Sequence, residues 1–281
     1  MITTRLHGRL GNQMFQYAAA RGLAERLGVG VALDTRNVLH RGEGVLTRVF
    51  TLPLVSPGAL PPDRHDAPLR YGVWRLWGRR PVLRRERGLG FNAAFEAWGD
   101  GSYLHGYWQS ERYFADVADC IRRDFAFPAL ADTSNAEMAA RIASGLSISL
   151  HVRRGDYVAL SAHALCDQAY YEAALARVLD GLEGTPTVFV FSDDPGWARE
   201  NLPLPCARVV VDFNGPEQDF EDMRLMSLCR HNIIGNSSFS WWGAWLNAHP
   251  GKRVAGPARW FGDPKLRNPD ILPDGWLRVA V

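Results

Sequence analysis

The feature that most constrains the fold is an alternation of short apolar runs with amphipathic stretches. In the second half of the chain, apolar runs at residues 146–152, 186–191 and 208–213 each lead into polar residues. Stretches with helical periodicity follow the first and the third run, over residues 168–182 and 217–229. A strand, a helix and a second strand also open the chain. Because strands that alternate with helices form parallel sheets, the sequence predicts an α/β fold.

The chain is long enough for two such α/β lobes, at 281 residues. We place an N-terminal lobe at 1–139 and a C-terminal lobe at 140–281, with the last helix or tail able to cross back. Residues 53–90 are rich in proline, glycine and arginine and predict an irregular excursion with one short helix around Trp74 and Trp77. Ligands of open parallel sheets bind at the carboxyl ends of the strands, where the polar loops of this chain lie.

Composition and missing motifs exclude several classes of protein. Apolar residues make up 47% of the chain and charged residues 22%, which is ordinary for a globular protein. No apolar run approaches the roughly 20 residues of a membrane helix, and the first residues enter a strand without room for a signal peptide. The four cysteines are far apart and form no C-x-x-C pair, which fits a reducing cytoplasm. A dinucleotide fingerprint, a P-loop, a G-x-S-x-G elbow and a D-x-D metal motif are all missing.

The basic residues are unevenly distributed. The net charge is 32 − 30 = +2, which predicts no general attraction to nucleic acid. Residues 64–87, however, hold eight arginines against two acidic residues, a local charge of 8 − 2 = +6. This segment predicts either peripheral contact with an anionic membrane or a solvated, arginine-rich excursion packed on the N-terminal lobe.

The segment HVRRGD (151–156) directly follows the first apolar run. Arg153 and Arg154 offer planar donor forks that match phosphate oxygens. Asp156 could orient an arginine or accept a proton, and His151 lies at the end of the strand. The alternative is an ordinary surface turn with arginine–aspartate pairs.

Two further polar loops lie at strand ends in the C-terminal half. Asp193 and Asp194 could accept hydrogen bonds from guanine, or one of them could cap the helix that follows. The segment NSSFS (236–240) could bind an anion at a helix N-terminus, or its serine could be a simple helix cap. The three tryptophans after it, Trp241, Trp242 and Trp245, are expected in the core.

The segment GRLGNQM (8–14) lies at the first strand-to-helix turn. Asn12 and Gln13 could bind sugar hydroxyls or cap the helix, and the spacing alone leaves both alternatives open.

Five segments in a fixed order resemble the α-1,2-fucosyltransferase family, which includes bacterial enzymes and the blood-group H-type transferases. They run from residue 8 to residue 247, whereas residues 35–100 match poorly. The segments are GRLGNQMFQYA (8–18), GYWQSERYF (106–114), HVRRGDY (151–157), VFVFSDD (188–194) and EDMRLMSLCRHNIIGNSSFSWWGAWLN (221–247).

The resemblance implies a glycosyltransferase B fold, in which two Rossmann-like lobes face a cleft. It implies an inverting, metal-independent transfer of L-fucose from GDP-β-L-fucose to the 2-hydroxyl of a galactose-terminated acceptor, with no cofactor. The acceptor could be carried on a lipid, because bacterial glycans are commonly built on lipid diphosphates at the inner membrane face. It implies catalytic roles for Arg153 and Arg154 at the donor diphosphate. Asp156 is the nearest carboxylate in the sequence and could act as the catalytic base or orient Arg153. Donor contacts are implied for His151, Asp193, Asp194, Asn236, Ser237, Ser238, Phe239 and Ser240, and sugar or acceptor contacts for Arg9, Asn12 and Gln13.

Two other functions remain compatible with the sequence. A transferase could use another GDP-sugar or make another linkage. A non-catalytic GDP-sugar or glycan-binding protein is disfavoured by the arginine pair, because a lectin need not stabilise a leaving diphosphate. We expect a cytoplasmic protein, peripheral at the inner membrane face if residues 64–87 contact lipid.

Overall fold

The chain folds into two compact units. The structure, a computed structural model, describes residues 1–62, 67–77, 82–130, 132–154 and 166–281. The first unit comprises Met1–Phe127 with Asn268–Ile271, and the second comprises Pro128–Arg267 with Leu272–Val281. This division falls N-terminal to the boundary that the sequence suggested. The acceptor and donor roles of the two lobes, and the cleft between them, stay predictions.

The first unit is built on a parallel sheet with helices. Its strands are arranged in the order β2-β1-β4-β3. The strands are β1 (Ile2–Arg5), β2 (Val31–Asp34), β3 (Leu83–Arg85) and β4 (Tyr103–His105), and the helices are α1 (Leu10–Leu27), α2 (Arg36–His40), α3 (Pro68–Trp77) and α4 (Ala118–Asp124). Helix α3 confirms the short helix predicted around Trp74 and Trp77.

Helix α1 connects the parallel strands β1 and β2 and buries most of its residues. It begins at Leu10, so the predicted start at Gln13 is wrong by about one turn. It ends at Leu27 and is capped by Gly28, whose left-handed φ of 65° lets its N–H bond back to the last turn, as glycine allows. The GRLGN segment is therefore a short turn followed by the first turn of the helix.

The second unit is built on a larger parallel sheet, in the order β10-β9-β8-β5-β6-β7. The strands are β5 (Leu146–Val152), β6 (Pro186–Ser192), β7 (Ala207–Val211), β8 (His231–Ile233), β9 (Val254–Pro257) and β10 (Leu277–Val279). The helices are α5 (Thr133–Ala143), α6 (Gln168–Leu179), α7 (Pro195–Asn201), α8 (Asp219–Leu228) and α9 (Ser238–Leu246). The predicted α/β fold with parallel sheets is confirmed.

The order of the strands creates a switch point. From β5 the chain moves outward through β6 and β7, and from β8 it moves outward on the other side through β9 and β10. Loops that follow β5 and β8 therefore diverge at the carboxyl edge of the sheet. Such a divergence opens the crevice in which parallel α/β sheets bind ligands.

Large aromatic residues on α9 itself are packed in the core. Trp241, Trp242 and Trp245 are buried, and the rings of Trp241 and Trp242 meet edge to face at 4.9 Å. The expectation that these tryptophans are core residues is confirmed. Within the described part of the chain, no helix has the length and apolar character needed to cross a bilayer.

Candidate functional site

The candidate site lies at the carboxyl edge of the second sheet, around the switch point. Strands β5 and β6 pair in register, with Val152 opposite Ser192. Arg153 follows β5 and Asp193 follows β6, so the two side chains emerge next to each other. The sequence placed basic and acidic residues at two strand ends, and the structure brings those ends together.

Asp193 holds both arginines of the HVRRGD segment. Its Oδ2 lies 2.8 Å from Nη1 of Arg153. Its Oδ1 accepts a hydrogen bond from the backbone N–H of Arg154 at 2.8 Å. One carboxylate thus fixes the guanidinium of Arg153 and the backbone that carries Arg154. The sequence offers Asp156 as a residue that could orient an arginine or accept a proton, and Asp156 lies outside the described residues.

The guanidinium of Arg154 lies over an aromatic ring. Its Cζ is 3.9 Å from the centre of the Trp197 ring, a close cation–π contact. Its Nε is 3.5 Å from Oδ2 of Asp194. Trp197 was not predicted from the sequence. The available signal was an aromatic residue in the first turn of the helix that follows the two aspartates.

Asp194 is the N-cap of α7. Its Oδ1 accepts the backbone N–H of Trp197 at 3.0 Å, and Pro195 occupies the first helical position. The capping hypothesis for one aspartate of the pair is confirmed. Asp193 orients Arg153, whereas Asp194 caps α7. A guanine contact for either stays a prediction.

His151 is buried beside this network. Burial, followed by the positive charge of Arg153, lowers the pKa of His151 to about 4, so its imidazole is neutral near pH 7. Its Nδ1 has no hydrogen-bond partner within the described part of the chain. Its ring lies 5.8 Å from the ring of Phe239 at the start of α9. His151 therefore connects the end of β5 with the loop that follows β8.

The NSSFS loop follows β8 and starts α9. Ser237 caps the helix, since its Oγ accepts the backbone N–H of Phe239 at 3.3 Å. Asn236 is buried, and its Nδ2 donates to the carbonyl of Trp260 at 3.1 Å. Ser240 donates back to the carbonyl of Ser237 at 3.3 Å. The serine-cap hypothesis is confirmed, while donor contacts of this loop, including Ser238, stay predictions.

Gly235 brings the two loops close together. A Cβ on this residue would lie 3.3 Å from the carbonyl oxygen of His151 and 3.9 Å from the backbone nitrogen of Arg153. A glycine allows this close approach at the switch point. The backbones that carry the arginines and the NSSFS loop therefore flank one small region of the sheet edge.

The residues predicted for the acceptor side lie in the first unit, and the structure gives Gln13 a structural role. Its Nε2 donates to the carbonyls of Gly8 and Gly44, both at 2.8 Å, and its Oε1 accepts the N–H of Leu46 at 2.9 Å. Gln13 is fully buried, so its amide ties the first turn of α1 to a neighbouring loop. The predicted helix cap is not found at Gln13.

Asn12 and Arg9 remain candidates for sugar contacts. Asn12 Oδ1 accepts from Nε2 of Gln109 at 2.8 Å, and Arg9 is exposed. The backbone at Arg9 occupies the N-cap position of α1 without a side-chain cap. Roles of Arg9, Asn12 and Gln13 toward a sugar stay predictions.

The sequence model of glycosyl transferase family 11 matches residues 95–280, about two thirds of the chain. The chain belongs to this family. The match spans the arginine pair, the aspartate pair and the NSSFS loop, which together form the site described above. The resemblance to α-1,2-fucosyltransferases is thereby confirmed.

Relatives of this family 11 member cover most of its length. An alpha-1,2-colitosyltransferase from Escherichia coli is 31% identical, over 99% of this chain and 99% of its own. Galactoside alpha-(1,2)-fucosyltransferase 2 from Bos taurus is 27% identical, over 88% of this chain and 69% of its own.

Solved fucosyltransferase structures share the fold of this family 11 protein. Fucosyltransferase NodZ from Bradyrhizobium matches with a TM-score of 0.50 and 16% identity, over 86% of this chain and 91% of its own. A NodZ alpha-1,6-fucosyltransferase structure soaked with GDP-fucose matches with a TM-score of 0.51 and 16% identity, over 90% and 93%. At this identity the likeness concerns the fold alone.

The family 11 site contains no recognisable metal centre in the residues that the structure describes. Across those residues, no group of three or more His, Cys, Asp or Glu side chains is arranged to hold an ion. Metal independence stays a prediction to be tested in solution.

Proposed function

We propose that this protein transfers L-fucose from GDP-β-L-fucose to the 2-hydroxyl of a terminal galactoside, forming an α-1,2 linkage with inversion. The observation that carries the proposal is the arginine pair at the switch point, with Arg153 oriented by Asp193. Two planar cations at a strand edge suit a diphosphate leaving group. Similarity to an alpha-1,2-colitosyltransferase over 99% of this chain and to an alpha-(1,2)-fucosyltransferase over 88% of it supports the linkage.

The chemistry follows from where charge develops. The acceptor oxygen attacks C1 of fucose from the face opposite GDP, the bond from C1 to the β-phosphate oxygen breaks, and its electron pair stays on the phosphate. Arg153 and Arg154 stabilise that charge, and their fixed orientation avoids reorganisation during the reaction. The hydroxyl proton passes to a base. Asp156 is the carboxylate that the sequence offers for this role.

The aspartates differ in how available they are to the donor. Asp193 is engaged by Arg153 and by the backbone of Arg154. The side chain of Asp194 is 46% exposed, and its Oδ2 lies 3.5 Å from Arg154. Asp194 is therefore the better candidate to accept hydrogen bonds from guanine. The buried, neutral His151 and the N-terminus of α9 complete the proposed donor site.

One comparison favours GDP-colitose as a second candidate donor. The relative that aligns over 99% of this chain is an alpha-1,2-colitosyltransferase. Colitose is fucose without its 3-hydroxyl, so the two donors differ by a single hydrogen-bonding group. A site that binds this hydroxyl would reject the deoxy sugar by about 10⁴-fold or more, whereas a site that ignores it would accept both.

Helix α3 supports a peripheral contact with an anionic membrane at its cytoplasmic face. None of its residues is buried, and its apolar side chains spaced three or four residues apart share one face. Leu69 is 85% exposed and Trp77 is 79% exposed. The same helix carries Arg70 and Arg75. Arg64, Arg79 and Arg80 of the basic segment lie outside the described residues.

A donor comparison tests the proposal. Purified protein is incubated with a terminal galactoside and GDP-fucose, GDP-colitose or GDP-mannose, and both GDP release and glycosidic product are measured. Product from GDP-fucose exceeding the others supports the proposal. Preference for GDP-colitose assigns the second donor, and binding of GDP-sugars without any product would make the protein a non-catalytic binder.

A further inference from the structure

A cavity in the first unit is lined by arginines and aromatic rings. It has a volume of about 470 Å³ and lies along β3, the edge strand of the sheet. Arg84 and Arg85 on β3 and Arg87 just beyond it line the cavity together with Phe91 and Trp98. None of the lining residues is acidic. The volume lies in the range of small-molecule sites, about 300–1,000 Å³.

The charge of these arginines is not neutralised within the described part of the chain. None of the ion pairs among the described residues involves Arg84, Arg85 or Arg87. Glu86 lies between them in sequence, but its Oε1 and Oε2 accept the backbone N–H groups of Trp108 and Tyr107, at 2.9 and 2.6 Å. Burial raises the pKa of the Glu86 carboxyl, which disfavours its charged form. The cavity therefore presents three cations.

Arg84 is held in position by an aromatic ring and not by an acid. Its Cζ lies 5.4 Å from the centre of the Trp98 ring. Its Nε is buried and has no hydrogen-bond partner in the residues that the structure describes. A buried donor of this kind costs free energy unless a partner binds. A ligand in the cavity that Arg84 lines would supply this missing partner.

The aromatic walls of the cavity are fixed by the core. Trp98 packs edge to face on the buried Trp108, with ring centres 5.7 Å apart. Phe91 packs on Tyr113, with ring centres 4.9 Å apart. Rigid aromatic faces beside guanidinium groups can take up an apolar ring face and an anion together.

We propose that this cavity binds an anionic group of the acceptor glycan, a phosphate or a sugar carboxylate, with the attached sugar against Trp98. The guanidinium forks match either oxyanion. The assignment to an acceptor rests on the proposed transferase function, whereas binding of an anion does not. The phosphate of a lipid headgroup could bind the same arginines. Vesicle co-sedimentation distinguishes it from an anionic glycan.

The first experiment measures anion binding directly. Calorimetry is performed with pyrophosphate and with glucuronate on protein saturated with GDP, which keeps these anions away from Arg153 and Arg154. The double variant Arg85→Gln/Arg87→Gln removes two exposed cavity arginines and is expected to fold. The matched control is Arg123→Gln/Arg177→Gln, which removes two exposed arginines that do not line the cavity.

The wild type and the control should bind one of the two anions, and the cavity variant should bind it at least tenfold more weakly. The proposal is overturned by absence of binding of both anions, or by unchanged affinity in the cavity variant. In a parallel arm, vesicles of phosphatidylglycerol and phosphatidylcholine are co-sedimented with the same proteins. Loss of vesicle binding in the cavity variant without soluble anion binding would assign the arginines to lipid headgroups and overturn the glycan assignment.

The second experiment connects the cavity to the acceptor. Galactosyl-N-acetylhexosamine acceptors are compared as a neutral methyl glycoside, with a reducing-end phosphate, and with an attached glucuronate. In the wild type, KM should be at least tenfold lower for one anionic acceptor than for the neutral one. In the cavity variant this difference should disappear, with kcat on the neutral acceptor unchanged. Equal KM values in the wild type would contradict the assignment of the cavity to the acceptor. Failure to fucosylate any acceptor would reject the proposed function. Anion binding by the cavity would still be decided by calorimetry in that case.

Discussion

Arg153 and Asp193 follow adjacent parallel strands and form an ion pair of 2.8 Å between Nη1 and Oδ2. The same carboxylate accepts the backbone N–H of Arg154. This arrangement preorganises a guanidinium where the sheet opens at its switch point. Preorganised charges of this kind stabilise a transition state without reorganisation at the moment of reaction.

Replacing Arg153 by alanine should lower kcat by about 10²–10³-fold, the loss expected for one donor to a developing negative charge. Arg153→Lys should recover only part of the activity, because an ammonium cannot replace a planar fork. Turnover is measured by GDP release, and circular dichroism checks that the variants fold. Near-normal turnover from folded Arg153→Ala would remove this residue from the mechanism.

Asp193→Asn serves as the companion variant for the same ion pair. An amide keeps the shape of the carboxylate and can still accept the N–H of Arg154, but it loses the charge that orients Arg153. We expect a smaller loss in kcat than for Arg153→Ala. Arg177→Ala, on the exposed side of α6, is the control that should leave turnover unchanged.

Activity should persist in EDTA. The arginine pair supplies the positive charge that a divalent metal would otherwise provide to the leaving diphosphate. Turnover is compared before and after treatment with EDTA and after addition of Mg²⁺ or Mn²⁺. Complete loss in the chelator, with recovery by one metal, would contradict the account based on arginines.

Acidification should destabilise the protein between pH 6.5 and about 4. Burial lowers the pKa values of His7, His105 and His151 from 6.5 to about 4. At these three histidines the unfolded chain binds protons in this window that the folded chain does not, so their contribution to stability is full above pH 6.5 and falls as the pH decreases. The carboxyl of Asp222, whose pKa burial raises to about 7, takes up a proton only in the folded chain over the same window and offsets part of this loss. Each histidine should contribute a loss of about 1 kcal/mol at pH 5.5.

Urea unfolding at pH 7.5 and 5.5 measures this effect. His105→Asn removes one of the three titrations, so the loss of stability on acidification should be smaller in this variant than in the wild type. His40→Asn, which replaces an exposed histidine, is the control and should behave like the wild type. An unchanged acid sensitivity of His105→Asn would contradict the prediction.

The exposed face of α3 should bind anionic vesicles in a salt-sensitive manner. Leu69 and Trp77 are expected to enter the interface while arginines attract the headgroups, each by up to about 1 kcal/mol. Co-sedimentation is measured at low and high salt for the wild type and for Leu69→Ser/Trp77→Ser. Absent or salt-insensitive binding, unchanged in the variant, would leave α3 a structural element only.

The sequence predicted the elements whose apolar pattern is strong. The strand at 146–152 was predicted with its observed bounds, since its residues are buried on both faces of a parallel sheet. The short strands β3 and β4 were not predicted, because three residues carry too little periodicity. The start of α1 was missed because Arg9 and Leu10 give no capping signal.

The residue types of the site could be predicted from the sequence, but the contacts between their side chains could not. The arginines and the aspartates were identified from two strand-end loops. That Asp193 orients Arg153, and that Trp197 lies under Arg154, depends on the register of β5 and β6. Strand order and register are long-range properties that local patterns do not encode. Gln13 shows the converse case, a polar residue in a family motif whose amide is used within the fold.

The most direct test of the account is the structure of the product. The protein is incubated with GDP-β-L-fucose and an array of terminal galactosides, and the linkage is determined by mass spectrometry and NMR. The account predicts fucose in α-linkage to O2 of galactose, with inversion at C1. Consumption of GDP-fucose without a glycosidic product, or fucose attached to a different hydroxyl, would contradict it.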